Sequence, residues 1–408
     1  MIKGDLKVFL CLLMVSSMAF AAEATKENYI TKELTYGLEA RTGYDSNIYG
    51  GASDQESSFV IRVSPFIKFE KEWAVGPLSI DYRPEYSWYE NKPSSQNNTW
   101  NHNLITSFSW NMTPTITWDF NDNFSIEEGS NVANIGGVTT GGGNNDYTRN
   151  VFDTKVTWEF TGSQELSIGY NNLYQHFDDS TNDFRNVKEN EVSFGYAYAI
   201  NSAFKLGTEL EVGRSNFYDS ATNIGGVNTT RDTQWERFLI TLNSTVGSLI
   251  FDLEVGAEHR EVIDATLSHV DEDILSPYLD AKIILRTGDS TSFVVNYKHS
   301  TQAGSRDDLY WAMQDAAGFS ANHKFSDRLD LTCFASYESN EYMDKYARES
   351  TATVGREDWI SCGVTLTYVL KQNLDAVFGV ENRRLSNALA DEDKYTTNSF
   401  DVGLIYKF

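Results

Sequence analysis

Apolar and polar residues alternate one for one along most of this chain. That is the period of a strand with one greasy face and one polar face. The last ten residues show it cleanly. Phe400, Val402, Leu404, Tyr406 and Phe408 alternate with Asp401, Gly403, Ile405 and Lys407. The rhythm starts at Leu34, where Leu34, Tyr36, Leu38 and Ala40 oppose Thr35, Gly37, Glu39 and Arg41. It returns at Phe59 to Phe69, Leu78 to Trp88 and Leu104 to Trp110. Later copies are Phe204 to Val212, Leu249 to Ala257 and Cys362 to Tyr368.

The connections between these stretches alternate in length. Short turns fall at Asn111 to Pro114, Thr161 to Ser163, Ile200 to Ala203, Val246 to Ser248, Thr287 to Ser290 and Ser326 to Arg328. Nine long polar connections fall at Asp45 to Gln55, Asn91 to Trp100, Glu128 to Asn145, Asp178 to Asn186, Tyr218 to Arg231, Ile263 to Asp271, Thr301 to Leu309, Glu341 to Val354 and Ser386 to Lys394. Short turns at one end and long loops at the other define the membrane barrel pattern. The fold expected over residues 34–408 is all-β: a transmembrane antiparallel up-and-down β-barrel of about 18 strands. A count of about sixteen is the alternative, because Asp307 to Lys324 is weakly patterned. Pro65 and Pro84 interrupt two strands and come almost opposite each other, which predicts a shared bulge or loosened pairing.

Composition fits this picture. The 408 residues include 24 Phe, 22 Tyr and 9 Trp but only six Pro, which suits long strands. Mean hydropathy is −0.42, low because only alternate residues of a barrel strand meet lipid. The formal charge of −25 argues against nucleic acid as a partner. It suits a pore or loops that favour cations or neutral sugars.

Lys3 and Lys7 precede an apolar stretch, Val8 to Phe20, and an Ala19-Phe20-Ala21 site. This is the form of a secretory signal peptide, residues 1–21, followed by a polar lead-in over 22–33. Beyond it no apolar run approaches the roughly twenty residues of a spanning helix. The expected location is the bacterial outer membrane. Expected partners are its lipid and lipopolysaccharide, the barrel-assembly machinery, and a polysaccharide or small polar solute. Both a monomer and a trimer remain open.

Candidate chemistry lies on the polar face. Expected lumen-lining acids are Glu85, Glu209, Glu211, Glu254 and Glu258, and the bases are Arg41, Arg62, Arg83, Lys155, Arg260, Lys298 and Arg383. They read either as interleaved cross-strand ion pairs or as a basic arc facing an acidic one. No catalytic or nucleotide motif is present, and six scattered His suggest no metal site or cofactor. Cys333 and Cys362 fall on the lipid face, as free thiols or as a disulfide. Asn134-Ile135-Gly136-Gly137-Val138 recurs as Asn223-Ile224-Gly225-Gly226-Val227. Tyr44-Asp45-Ser46 recurs as Tyr218-Asp219-Ser220, with Phe177-Asp178 a looser copy. Turn chemistry explains both repeats, and Ca²⁺-binding or inward-folding loops are the functional alternative.

The closing strand, Phe400 to Phe408, resembles the terminal signal of bacterial outer-membrane barrels. Gly43-Tyr44-Asp45-Ser46-Asn47-Ile48-Tyr49 is similar to the opening motif of an outer-membrane β-barrel porin family. That family includes barrels associated with exopolysaccharide export. The resemblance implies a channel for sugars or other small polar solutes. It equally allows an exopolysaccharide-export component, and a non-conducting structural or adhesion barrel stands as a third reading. A hydrolase is the least supported, since no nucleophile and base stand together.

Overall fold

The computed structural model describes residues 33–48, 56–92, 98–135, 138–178, 186–217, 222–224, 227–229, 232–263, 273–303, 309–344, 353–387 and 394–408. The expected leader, and the lead-in up to residue 32, lie outside the described residues. Twenty strands follow in order. The first ten are β1 (Leu34–Asp45), β2 (Ser58–Trp73), β3 (Gly76–Tyr89), β4 (Asn98–Thr113), β5 (Ile116–Ile135), β6 (Val138–Thr161), β7 (Gln164–Phe177), β8 (Val187–Ala199), β9 (Phe204–Phe217) and β10 (Thr222–Ile224). The rest are β11 (Val227–Thr229), β12 (Thr233–Val246), β13 (Leu249–Val262), β14 (Asp273–Thr287), β15 (Thr291–Ala303), β16 (Leu309–Ser326), β17 (Leu329–Asp344), β18 (Thr353–Lys371), β19 (Leu374–Asn387) and β20 (Tyr395–Lys407).

Eighteen strands form one antiparallel sheet that closes on itself, while β10 and β11 form a separate hairpin. Closure joins β1 to β20, from Gly37↔Lys407 to Asp45↔Ser399. Phe408 finishes the seam: its N–H donates to the Tyr36 carbonyl at 2.9 Å. Their rings stack with centroids 5.5 Å apart. Closure leaves no unpaired edge, so every wall strand finds partners on both sides.

Alternation decides the faces. Phe400, Val402, Leu404, Tyr406 and Phe408 all point outward and are exposed. So are Phe204, Leu206, Leu210 and Val212 on β9, and Phe238 and Ile240 on β12. The residues between them face the interior. Gly247, with φ 61°, lets Val246 and Leu249 pair across a two-residue turn, a conformation other residues rarely adopt.

Several expectations are refined. Residues 128–145 were expected as a loop; instead β5 and β6 run through them and meet at Ile135↔Val138. The copy downstream pairs Ile224↔Val227 on β10 and β11. The repeated motif thus carries the same Ile-to-Val strand pairing in both copies. The weakly patterned Asp307 to Lys324 holds most of β16, and the count is eighteen and not sixteen. Its Ala316, Ala317 and Gly318 pair through backbone, which needs no side-chain signal.

The Tyr44-Asp45-Ser46 reading also divides. Asp45 Oδ1 accepts the Asn47 N–H at 2.9 Å, an Asx turn, and Tyr44 faces outward. Tyr218-Asp219-Ser220 lies outside the described residues. Phe177 is buried, with its ring centroid 5.5 Å from that of Tyr147, so the looser copy differs from exposed Tyr44.

Pro65 and Pro84 do face each other. The β2–β3 ladder holds from Val60↔Tyr89 to Val63↔Tyr86 and resumes at Ile67↔Tyr82 in the same register. The gap is a loosened pairing without a bulge. The Ser64 hydroxyl donates to the Pro84 carbonyl at 2.9 Å and replaces part of the missing ladder. Cys333 and Cys362 are free thiols on the outer face. Cys333 sits opposite Val364, and Cys362 opposite Ala335. They are therefore diagonal neighbours, too far apart for the usual bridge geometry.

Candidate functional site

The interior is lined by the polar members of each alternating strand, and register decides which of them meet. On one side, β19, β20 and β1 to β6 enclose a cavity of about 800 Å³. Arg41, Arg62, Arg83, Glu85 and Arg383 all line it. A second cavity of about 520 Å³ lies along β15 to β19. Its wall carries Ala316, Gly318, Ser320 and Ser336, whose small side chains leave the interior open. Glu381 and Arg383 border both cavities.

The cationic side chains here sit among carboxylates. Arg41 Nη1 lies 3.0 Å from Asp401 Oδ2 and also binds Glu39 on its own strand. Arg83 pairs with Asp81 at 2.9 Å and stacks over the Phe66 ring at 5.4 Å. Arg383 pairs with Glu381. Lys92, in the loop after β3, is buried with Nζ 4.1 Å from the Tyr89 ring centroid. Burial pushes its ammonium below the usual lysine pKa, against the upward pull of Asp45 and Asp146.

The other side is a dense knot. Arg237 on β12 meets Glu258 at 2.5 Å, Glu211 at 2.8 Å and Glu191 at 3.2 Å. Arg260 joins Glu258 at 3.0 Å and lies 4.7 Å over the Trp235 ring. Trp235 is held flat to the wall because it packs on Gly213, where a Cβ would come within 2.2 Å of the ring. Tyr278 covers Arg237 at 5.1 Å. Glu258 is fully buried and also accepts from the Thr301 hydroxyl.

Of the lumen candidates named from the sequence, Arg41, Arg62, Arg83, Glu85 and Arg383 line the larger cavity, and the set does not form one site. Lys155 reaches Glu209 at 3.8 Å. Glu254 sits opposite Asp280, and so does Lys298 from the other neighbouring strand. The basic and acidic arcs do not separate. Lys282 and Lys298 lie directly opposite Asp252 and Asp280. Bases and acids therefore interleave on both sides, the simpler of the two expectations. Arg237, Glu191, Trp235, Tyr278 and Arg149 were not singled out from sequence. Alternation alone places Arg237 inward, between outward Phe238 and Glu236. Only register shows that three acids converge on it.

Among the described residues no group of acidic, His or Cys side chains could hold a metal ion. Comparison with known proteins fits the architecture. The family described as "Putative beta-barrel porin 2" matches residues 34–408, and the chain belongs to that family. No curated protein sequence matches the chain. Three solved structures illustrate the likeness. A mutant ferric enterobactin receptor PfeA from Pseudomonas aeruginosa, in complex with enterobactin, has TM-score 0.47 and 12% identity, over 91% of this chain and 81% of that one. The apoprotein form of the FrpB iron transporter from Neisseria meningitidis has TM-score 0.45 and 7% identity, over 93% and 82%. OccAB3 from Acinetobacter baumannii has TM-score 0.44 and 9% identity, over 92% and 99%.

Proposed function

We propose that this chain is a channel of the bacterial outer membrane that passes sugars or other small polar solutes by diffusion. The leader read at residues 1–21 and the closing Phe408 belong to this reading, as export and assembly signals. One observation carries it. The polar interior of the closed 18-strand wall keeps cavities of about 800 and 520 Å³ that share Glu381 and Arg383. A cylinder of this strand number is wide enough for water and solute to cross. The residues of the Arg237 knot line neither cavity, which leaves the opposite wall as the route. Solutes would be selected by width and by the paired charges they pass.

Planar-bilayer recording of the purified protein tests this. Stepwise open-channel currents are expected, with reduced current in the presence of oligosaccharides that enter the pore. A sealed bilayer at high protein load, from folded and inserted protein, overturns it.

A further inference from the structure

Aromatic rings on the inner wall are mostly covered. Arg83 lies over Phe66, Arg260 over Trp235, Arg237 over Tyr278 and Lys92 over Tyr89. Phe334 on β17 differs. Among the described residues no cation or second ring stacks on it. It pairs with Gly363 on β18, between outward Cys362 and Val364, so both face inward. A Cβ at Gly363 would come within 2.5 Å of the Phe334 ring. The ring therefore lies across the glycine and turns its other face to the smaller cavity, which it lines. Trp359, the other inward ring of that cavity, is buried against Leu385 and Tyr395.

The wall beside the bare ring carries hydroxyls and amide in place of charge. Register sets Asn296, Gly318, Ser336 and Ser361 in one row across β15 to β18. The Ser336 and Ser361 hydroxyls lie 2.6 Å apart, and Ser320 sits opposite Phe334. A hydroxyl both donates and accepts, as the amide does through its two ends. The charged groups at the border are engaged: Glu381 pairs with Arg383, and Glu338 accepts from the Asn340 amide at 2.9 Å. Two carboxylates against one guanidinium leave no positive charge for an anion. The volume, about 520 Å³, is that of a small-molecule site. An uncovered ring face next to neutral hydrogen-bonding groups matches a ligand with an apolar C–H face and a rim of hydroxyls, which is a pyranose.

We propose that Phe334, with Asn296, Ser336 and Ser361, forms a binding station for neutral pyranose sugars and their short oligomers inside the channel. This rests on the channel reading and adds the solute class and the residues to it. Phe334 supplies the face on which a sugar ring packs, and the Asn–Ser row takes its hydroxyls. An acyclic polyol brings the same hydroxyls without a flat C–H face, so it loses the ring contact.

The test is a saturation-transfer NMR titration of the full-length protein in detergent with glucose, maltotriose, sorbitol, galacturonate and tetramethylammonium. Glucose and maltotriose are expected to bind about fivefold more tightly than sorbitol, the ratio one aromatic contact supplies. Phe334→Leu should weaken both sugars about fivefold, and Phe334→Tyr should keep them. Ser336→Ala should cost about fivefold, the worth of one hydrogen bond. Phe378→Leu, on the outer face, should change nothing. A heat-shift gel establishes that each variant is folded. Equal binding of glucose and sorbitol, no glucose binding, unchanged binding in Phe334→Leu, or equal loss in Phe378→Leu overturns the proposal. Galacturonate binding more tightly than glucose overturns the neutral assignment. Tetramethylammonium binding more tightly than glucose makes the bare ring a cation site and overturns the saccharide assignment. Channel currents separate the two readings. Sugar binding without currents removes conduction alone, whereas currents without sugar binding remove this station alone.

Discussion

At Arg237 three carboxylates share one guanidinium, and one of them, Glu258, is fully buried. The geometry matters more than the number of charges. A planar fork can donate in several directions at once, which a lysine ammonium on a flexible stem does less well. Removing the cation would leave acids crowded together with no compensation. Arg237→Met is therefore expected to destabilise the barrel by about 3–5 kcal/mol, the cost of breaking a buried pair. Arg237→Lys should recover only part of it. Lys205, half-exposed and 2.8 Å from Glu165, makes the contrast. Lys205→Met should cost less than about 1 kcal/mol, since an exposed pair is screened by water. Urea unfolding from lipid vesicles, followed by tryptophan fluorescence, separates these cases. Equal midpoints for Arg237→Met and the native protein would remove the knot from the stability account.

Among the strands, β2 and β3 stand apart because their prolines, Pro65 and Pro84, face each other across one ladder, whereas Pro277 of β14 faces Ala257 in an unbroken one. The ladder stops between Val63↔Tyr86 and Ile67↔Tyr82, and the Ser64 hydroxyl substitutes for one bond. Amides at Phe66 and Arg83 should exchange with deuterium faster than those of β12 and β13, whose pairing is unbroken from Thr233↔Val262 to Val246↔Leu249. Uniform protection across the four strands would mean that the gap is closed in the membrane. This opposition of prolines was legible in the sequence, because counting from the turn near Val75 fixes it. The wall strands were legible for the same reason: an outward residue must be apolar and its neighbour need not be. The extensions of β5 and β6 were not legible. Residues 128–145 are rich in Gly, Asn and Thr and show no apolar–polar alternation. Ion-pair partners were illegible too. Arg41 and Asp401 are 360 residues apart and meet only because β1 closes on β20.

For the whole molecule, each strand is a boundary between two solvents, and neighbouring residues belong to different ones. Val255 and Glu254 make this testable midway along β13. Val255 is exposed on the outer face. Glu254 faces inward, opposite Asp280. A charge moved into hydrocarbon loses its hydration, while the same charge in a wet lumen does not. Val255→Arg should lower unfolding stability in vesicles by about 2–4 kcal/mol, the range for a cation near mid-bilayer. Glu254→Arg, one residue away, should change stability by less than about 1 kcal/mol, because Asp280 supplies an opposite charge. Its effect should appear in the channel instead. Replacing an acid by a base on the lumen wall should move the reversal potential in a salt gradient towards anions. Val255→Arg should leave that potential unchanged in whatever fraction folds. If the two substitutions exchanged their effects, β13 would have to be turned over, and with it the assignment of inside and outside for the strands paired in register with it.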